Sequence, residues 1–152
     1  MTVLDLIQKH EGAVPSPYHD GRGILTVGIG HNLQAHPLPG GTEYPLTEQQ
    51  MQDLLSADLQ AVIIGLNQDL PWVGQLDEVR QAVLYDLGFN LGDSGLEKFR
   101  HTLASIEAQD WQGAHDNLIA SEPWATEVGP RAAEDAKMLL TGLWPDDPNF
   151  PQ

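Results

Sequence analysis

The stretch Tyr18-His19-Asp20-Gly21-Arg22-Gly23-Ile24-Leu25-Thr26-Val27-Gly28-Ile29-Gly30-His31 interrupts a chain whose other segments read as helix. Gly21-Arg22-Gly23 is a tight-turn signal, and Ile24 to Ile29 is rich in β-branched residues, so the pattern from Tyr18 to Gly30 is strand and turn. Towards the N-terminus, Thr2 to Glu11 predicts a helix. Thr2 stands at the N-cap with Asp5 three residues on, Val3, Leu6, Ile7 and His10 share a face, and Gly12 stops it. Beyond the strands, His36 to Pro45 reads as a loop with a Gly40-Gly41 turn, open to closing a further hairpin.

At Thr47 the period changes. Thr47 with Gln50 forms a capping box, Leu46 with Met51 a hydrophobic staple, and Leu54, Leu55, Leu59, Val62, Ile63 and Leu66 continue an apolar stripe. Pro71 ends that segment, and Asp77 caps the next helix, with Val79, Ala82, Val83, Leu87 and Phe89 turned inward. Further helices are predicted near 101–108, 110–121 and 129–143. The fold class is α+β: a small N-terminal β lobe (about 12–46), a bridging helix (about 47–66), and a larger helical lobe (about 67–152) joined by the N-terminal helix. A cleft between two such lobes is the expected ligand site.

Composition narrows the function. Of 152 residues, 22 are Asp or Glu and only seven Lys or Arg, a formal net charge of −15. Phosphate neutralisation needs clustered cations, so a nucleic-acid partner is not expected, nor is docking on anionic lipid by charge. With 41% hydrophobic residues and four Trp the chain has the material for a core. The absence of cysteine excludes disulfides, thiolate metal sites and cysteine nucleophiles. No basic, then apolar, leader opens the chain and no apolar run approaches a membrane span, so no signal and no membrane anchor are expected.

Two carboxylates and a hydroxyl carry the candidate chemistry. Glu11 closes the first helix, where the negative end of the dipole disfavours its anion; Asp20 opens a turn and is more solvated. Acids in unequal environments suit glycosidic bond cleavage, in which one protonates the leaving oxygen and the other activates water. On spacing alone the same pair reads as solvated surface, and Thr26 as a strand former. Val14 stands where a second His would complete a zinc-protease motif, and His10, His19, His31 and His36 are irregularly spaced, so no metal is expected. Leu33 replaces the third glycine of a dinucleotide fingerprint after Gly28-Ile29-Gly30, and no P-loop or EF-hand loop is present, so no cofactor is expected.

Leu6-Ile7 with His10-Glu11-Gly12, then Tyr18-His19-Asp20-Gly21 with Gly23, then Leu25 to His31 together resemble the signature of T-even-type phage lysozymes, the endolysin muramidases of glycoside hydrolase family 24. The likeness continues through Phe89-Asn90, Gly92, Phe99, Thr102-Leu103, Trp111, Asn117-Leu118, Trp124 and Arg131. The resemblance implies a lysozyme-like fold and hydrolysis of the β-1,4 bond between N-acetylmuramic acid and N-acetylglucosamine in bacterial peptidoglycan, without cofactor. It makes Glu11 the general acid, with Asp20 and Thr26 positioning a water for inversion. Substrate contacts fall on Asn32, Phe89, Thr102 and Asn117; Asn32 and Thr102 depart from the family's usual apolar residue and serine. Supporting roles fall on Arg131, which reaches Glu11 in the family, and on His31 and Asp58, an ion pair between the β lobe and the bridging helix. A monomer released from the host cytoplasm through a holin-type pore is the family expectation.

Two other readings stay open at this level: a non-catalytic peptidoglycan-binding or regulatory module on the same scaffold, and an acidic cation-binding protein. The charge itself is uneven. Residues 1–46 hold four acids and two bases, whereas residues 47–152 hold 18 acids and five bases, a balance of −13. That distribution suggests adaptation to high ionic strength, where screening over about 3 Å at 1 M salt hides repulsion from an anionic wall.

Overall fold

The computed structural model describes residues 1–152 apart from the side chain of Asp93. Its elements run α1 (Val3–Glu11), β1 (Val14–His19), β2 (Leu25–Gly28), β3 (His31–Asn32), α2 (Glu48–Asp69), a 3-10 turn (Pro71–Gln75), α3 (Glu78–Glu97), α4 (Arg100–Glu107), α5 (Trp111–Ile119), α6 (Trp124–Val128) and α7 (Pro130–Thr141). This is the α+β class expected. The chain divides into two compact units: Leu4–Ala61, and Met1–Val3 with Val62–Gln152. The division falls inside α2, and α1 groups with the strands rather than with the later helices.

In the first unit, three antiparallel strands lie in the order β1-β2-β3. Tyr18 pairs with Thr26 and His19 with Leu25; on the other side of β2, Thr26 pairs with Asn32 and Val27 with His31. The first strand begins at Val14, four residues earlier than the β-branched pattern indicated. Pro15 and Pro17 hid it. They sit where the β1–β2 register shifts, on an edge strand, which is where a residue without an N–H is tolerated. The 36–45 loop closes no further hairpin. The helix signals hold in detail. Gly12, at φ +70°, ends α1 with its N–H on the Gln8 carbonyl. The Thr47 N–H donates to Gln50 Oε1 at 2.8 Å, and the Gln50 N–H to Thr47 Oγ1 at 3.1 Å, the reciprocal capping box. Leu6, Ile7, Val27, Ile29, Leu46, Leu55 and Leu59 are this unit's buried apolar residues.

The second unit is helical. Here α5 packs on α4 and α7, and α3 on α7. Asp77 caps α3 by accepting from the Arg80 N–H at 3.0 Å. Gly88 lets α3 approach closely, since a Cβ there would stand 3.0 Å from both Leu66 and Val62. Gly92 leaves helical geometry and kinks α3. The short helix α6 was not foreseen. Pro123 precedes it and Gly129-Pro130 follows, and five residues between such breakers carry no helical period of their own. Among the described residues no helix is long and apolar enough to cross a membrane.

Candidate active site

The three candidate catalytic residues all lie in the first unit. Glu11 is the last residue of α1, separated from β1 by Gly12 and Ala13. Asp20 follows β1 directly and is built into the hairpin by its own side chain. Its Oδ1 accepts the N–H groups of Arg22 and Ile24, each at 2.9 Å, while its backbone N–H donates to the Ile24 carbonyl and its carbonyl accepts from Gly23. Such a self-bonded Asp turn fixes the carboxyl group and leaves both contacts on a single oxygen. Thr26, at the centre of the sheet, is 4% exposed, and its hydroxyl donates to the Ile24 carbonyl at 2.8 Å. The hydroxyl hydrogen is thereby used, and only acceptor capacity remains on Oγ1.

Tyr18 belongs to the same hairpin. It lies directly across the ladder from Thr26 and is half-buried. Burial pushes its phenol above the ordinary tyrosine value, and the charges of Glu11 and then Asp20 push it the same way. Both carboxylates therefore bear on one hydroxyl.

His31 supports this sheet from its other face, one residue out of phase with Asn32. It is buried, with Nδ1 on Asp58 Oδ2 at 2.7 Å and Nε2 on the His36 carbonyl at 2.8 Å. Two acceptors require two N–H donors, so the ring is the imidazolium, and the Asp58 bond raises its pKa against the lowering effect of burial. Asn32 turns its Oδ1 to the N–H groups of Gln34 and Ala35 at 2.9 and 3.0 Å, which shapes the loop after β3.

Three of the expected substrate contacts lie in the second unit. Phe89 is half-buried on α3, and Asn117 on α5 donates to Ser105 Oγ at 3.1 Å. Thr102 is 2% exposed within the buried stripe Thr102, Leu103 and Ile106 of α4. Phe99 and Trp124 form an edge-to-face pair at 5.4 Å, and the Trp124 Nε1–H donates to Asn90 Oδ1 at 2.8 Å, so these motif residues serve packing. Arg131 forks onto Asp86 from α7. Sequence reasoning missed Asp86 and its neighbour Asp135. The signal available was an acid within the apolar run Leu84 to Leu87, and a second one four residues after Arg131.

A family model described as phage lysozyme matches residues 8–136. The chain belongs to the phage lysozyme family. It is similar to the pre-baseplate central spike protein Gp5 of Enterobacteria phage T4, at 25% identity over 93% of this chain and 28% of that protein. It is also similar to the probable T4-type lysozyme 2 of Dictyostelium discoideum, at 23% identity over 93% of this chain and 95% of the relative. The endolysin of Salmonella phage P22 is 26% identical over 88% of this chain and 84% of its own length. The chain thus spans just over a quarter of the spike protein and most of the other two. By family it is placed among lysozyme-type glycoside hydrolases.

Proposed function

We propose that the chain, acting as one catalytic domain over residues 1–152, hydrolyses the β-1,4 bond between N-acetylmuramic acid and N-acetylglucosamine of peptidoglycan with inversion at the anomeric carbon. Glu11 is the general acid that protonates the leaving oxygen. Asp20 takes a proton from the attacking water, and Thr26 Oγ1 accepts that water's other hydrogen. The observation that carries this reading is the hairpin that sets Thr26 opposite Tyr18 and fixes Asp20 in its turn, within the compact unit that also holds Glu11. The arrangement of Thr26 supports it further, because a hydroxyl that has spent its hydrogen on the Ile24 carbonyl can only accept.

Asn32, Phe89, Thr102 and Asn117 are assigned as saccharide contacts. Arg131 is assigned an orienting role towards Glu11, as the resemblance implies. Action as a monomer after release through a holin-type pore is part of the same reading, supported by the likeness to a phage endolysin.

The test is mass spectrometry of muropeptides after digestion of purified cell walls. Wild-type protein should release reducing N-acetylmuramic acid ends, and an anhydro end would instead mark a lytic transglycosylase. Glu11→Gln should release none while its circular dichroism melt stays that of the wild type. Release at the wild-type rate by Glu11→Gln defeats the assignment.

A further inference from the structure

Register and alternation place Tyr18, Asp20, Thr26 and Asn32 on one face of the sheet. Residues paired across a ladder share a side, and so do residues two apart along a strand. Tyr18 pairs with Thr26 and Thr26 with Asn32, and the bond from the Asp20 N–H to the Ile24 carbonyl carries the ladder on to Asp20. Most polar atoms of this face are already committed. Thr26 has given its hydrogen to Ile24, Asp20 Oδ1 holds two backbone N–H groups, and Asn32 Oδ1 holds two more. Lone pairs on Thr26 Oγ1 and Asp20 Oδ2 remain, together with the Tyr18 O–H, which is committed to no hydrogen bond among the described residues. Tyr18 is half-buried, and two carboxylates oppose its ionisation, so it is a neutral donor on a face of acceptors.

We propose that Tyr18 is a further water-positioning residue of the hydrolysis, its O–H donating to the water whose hydrogens Asp20 and Thr26 accept. The assignment deepens the glycosidase reading above and rests on it. A water has two hydrogens and two lone pairs. Asp20 Oδ2 and Thr26 Oγ1 take the hydrogens and Tyr18 holds one lone pair, which leaves the second aimed at the anomeric carbon. As the new carbon–oxygen bond forms, the glycosidic bond breaks. The departing oxygen takes the Glu11 proton, and the water's proton passes to Asp20. With the phenol gone, the water keeps two anchors and gains a rotation that takes its lone pair off line.

Tyr18→Phe keeps the ring and removes only the donor. On solubilised glycan strands kcat should fall about tenfold or more with KM within about twofold of wild type, and the thermal midpoint should stay within a few degrees. The second readout is spectroscopic. With ring-labelled tyrosine, the phenol signal of Tyr18 should titrate at lower pH in Asp20→Asn and in Glu11→Gln than in the wild type, since each removes a charge that opposes ionisation. A full kcat in Tyr18→Phe, a rise in KM alone, or a phenol titration unmoved by both substitutions overturns the assignment. If Glu11→Gln and Asp20→Asn themselves turn over normally, the glycosidase reading fails. If they are inactive while Tyr18→Phe keeps full kcat, only the role of Tyr18 fails.

Discussion

Arg131 and Asp86, 45 residues apart in the chain, form a forked ion pair inside the helical unit: Nη2 donates to Oδ1 at 2.8 Å and Nε to Oδ2 at 3.1 Å, and both residues are buried. A third contact runs from Nη2 to the Asp86 carbonyl at 3.4 Å. Removing one member of a buried pair costs up to about 3–5 kcal/mol, far more than the intact pair contributes over an apolar replacement. Asp86→Ala should therefore lower stability by that amount in urea denaturation. A loss below about 1 kcal/mol would show that another group, Asp135 first among them, takes the place of Asp86 beside Arg131.

Asp135 stands beside this pair, fully buried, and its two carboxyl oxygens accept no hydrogen bond among the described residues. Burial first, and then the Asp86 charge, raise its pKa well above the ordinary carboxyl value of 3.8, with Arg131 acting the other way. Protonated, it becomes a donor to Asp86, which resolves the shortage of hydrogen between two carboxyl groups. The raised folded-state value fixes the sign. The contribution to stability is full below pH 3.8 and is lost as pH climbs through the folded-state pKa. Asp135→Asn should then melt closer to the wild type near pH 4 than above neutrality, where the variant should gain relative to it. Parallel pH–stability curves would contradict a protonated Asp135.

The His31 imidazolium gives a slope of the same sign from a base. Its pKa is raised by Asp58, so the stabilisation is complete below pH 6.5 and disappears as pH passes the folded-state value. His31→Asn should destabilise the protein at pH 5.5 by more than at pH 9, read from thermal midpoints. Turnover per folded molecule should be preserved, because His31 lies on the face of the sheet opposite Thr26.

Arg80 closes the C-terminal end of α7. Its Nε donates to the Leu139 carbonyl at 2.8 Å, Nη2 to Leu140 at 3.2 Å and Nη1 to Asp77 at 2.9 Å, and its guanidinium lies 3.8 Å from the centre of the Trp111 ring. Gly142 takes the left-handed cap at φ +69°, and a Cβ there would stand 2.8 Å from Arg80 Nη1. Gly142→Ala should cost more than the roughly 1 kcal/mol of backbone strain alone. In an Arg80→Ala background only the strain should remain, so a double-mutant cycle measures the difference. Additive losses would mean that Arg80 moves aside freely.

The charge of −13 carried by residues 47–152 sets a dependence on salt. Against an anionic cell wall the rate of clearing should rise from low salt to several hundred millimolar, as the screening length falls from about 30 Å at 0.01 M towards a few Å. Clearing that is fastest in dilute buffer would sink the high-salt reading.

Local chemistry in the sequence determined a good part of this protein. The Thr47–Gln50 box, the Asp77 cap and the Gly12 stop each act over three or four residues, so their readings needed no partner from elsewhere in the chain. The turn at 20–24 was legible for the same reason, and with it the position of Asp20. Tertiary structure alone decided the rest. Pro15 and Pro17 enter a strand because β1 lies at a sheet edge, and Thr102 is buried together with Leu103 and Ile106 on α4. Asp86 reads as one more acid among 22 until Arg131 meets it across 45 residues. A buried polar group is tolerated only where a donor or an opposite charge reaches it, and that condition is met by folding, not by neighbours in sequence. The Tyr18–Thr26 register belongs to the same class: the motif supplied both residues, and the ladder put them side by side.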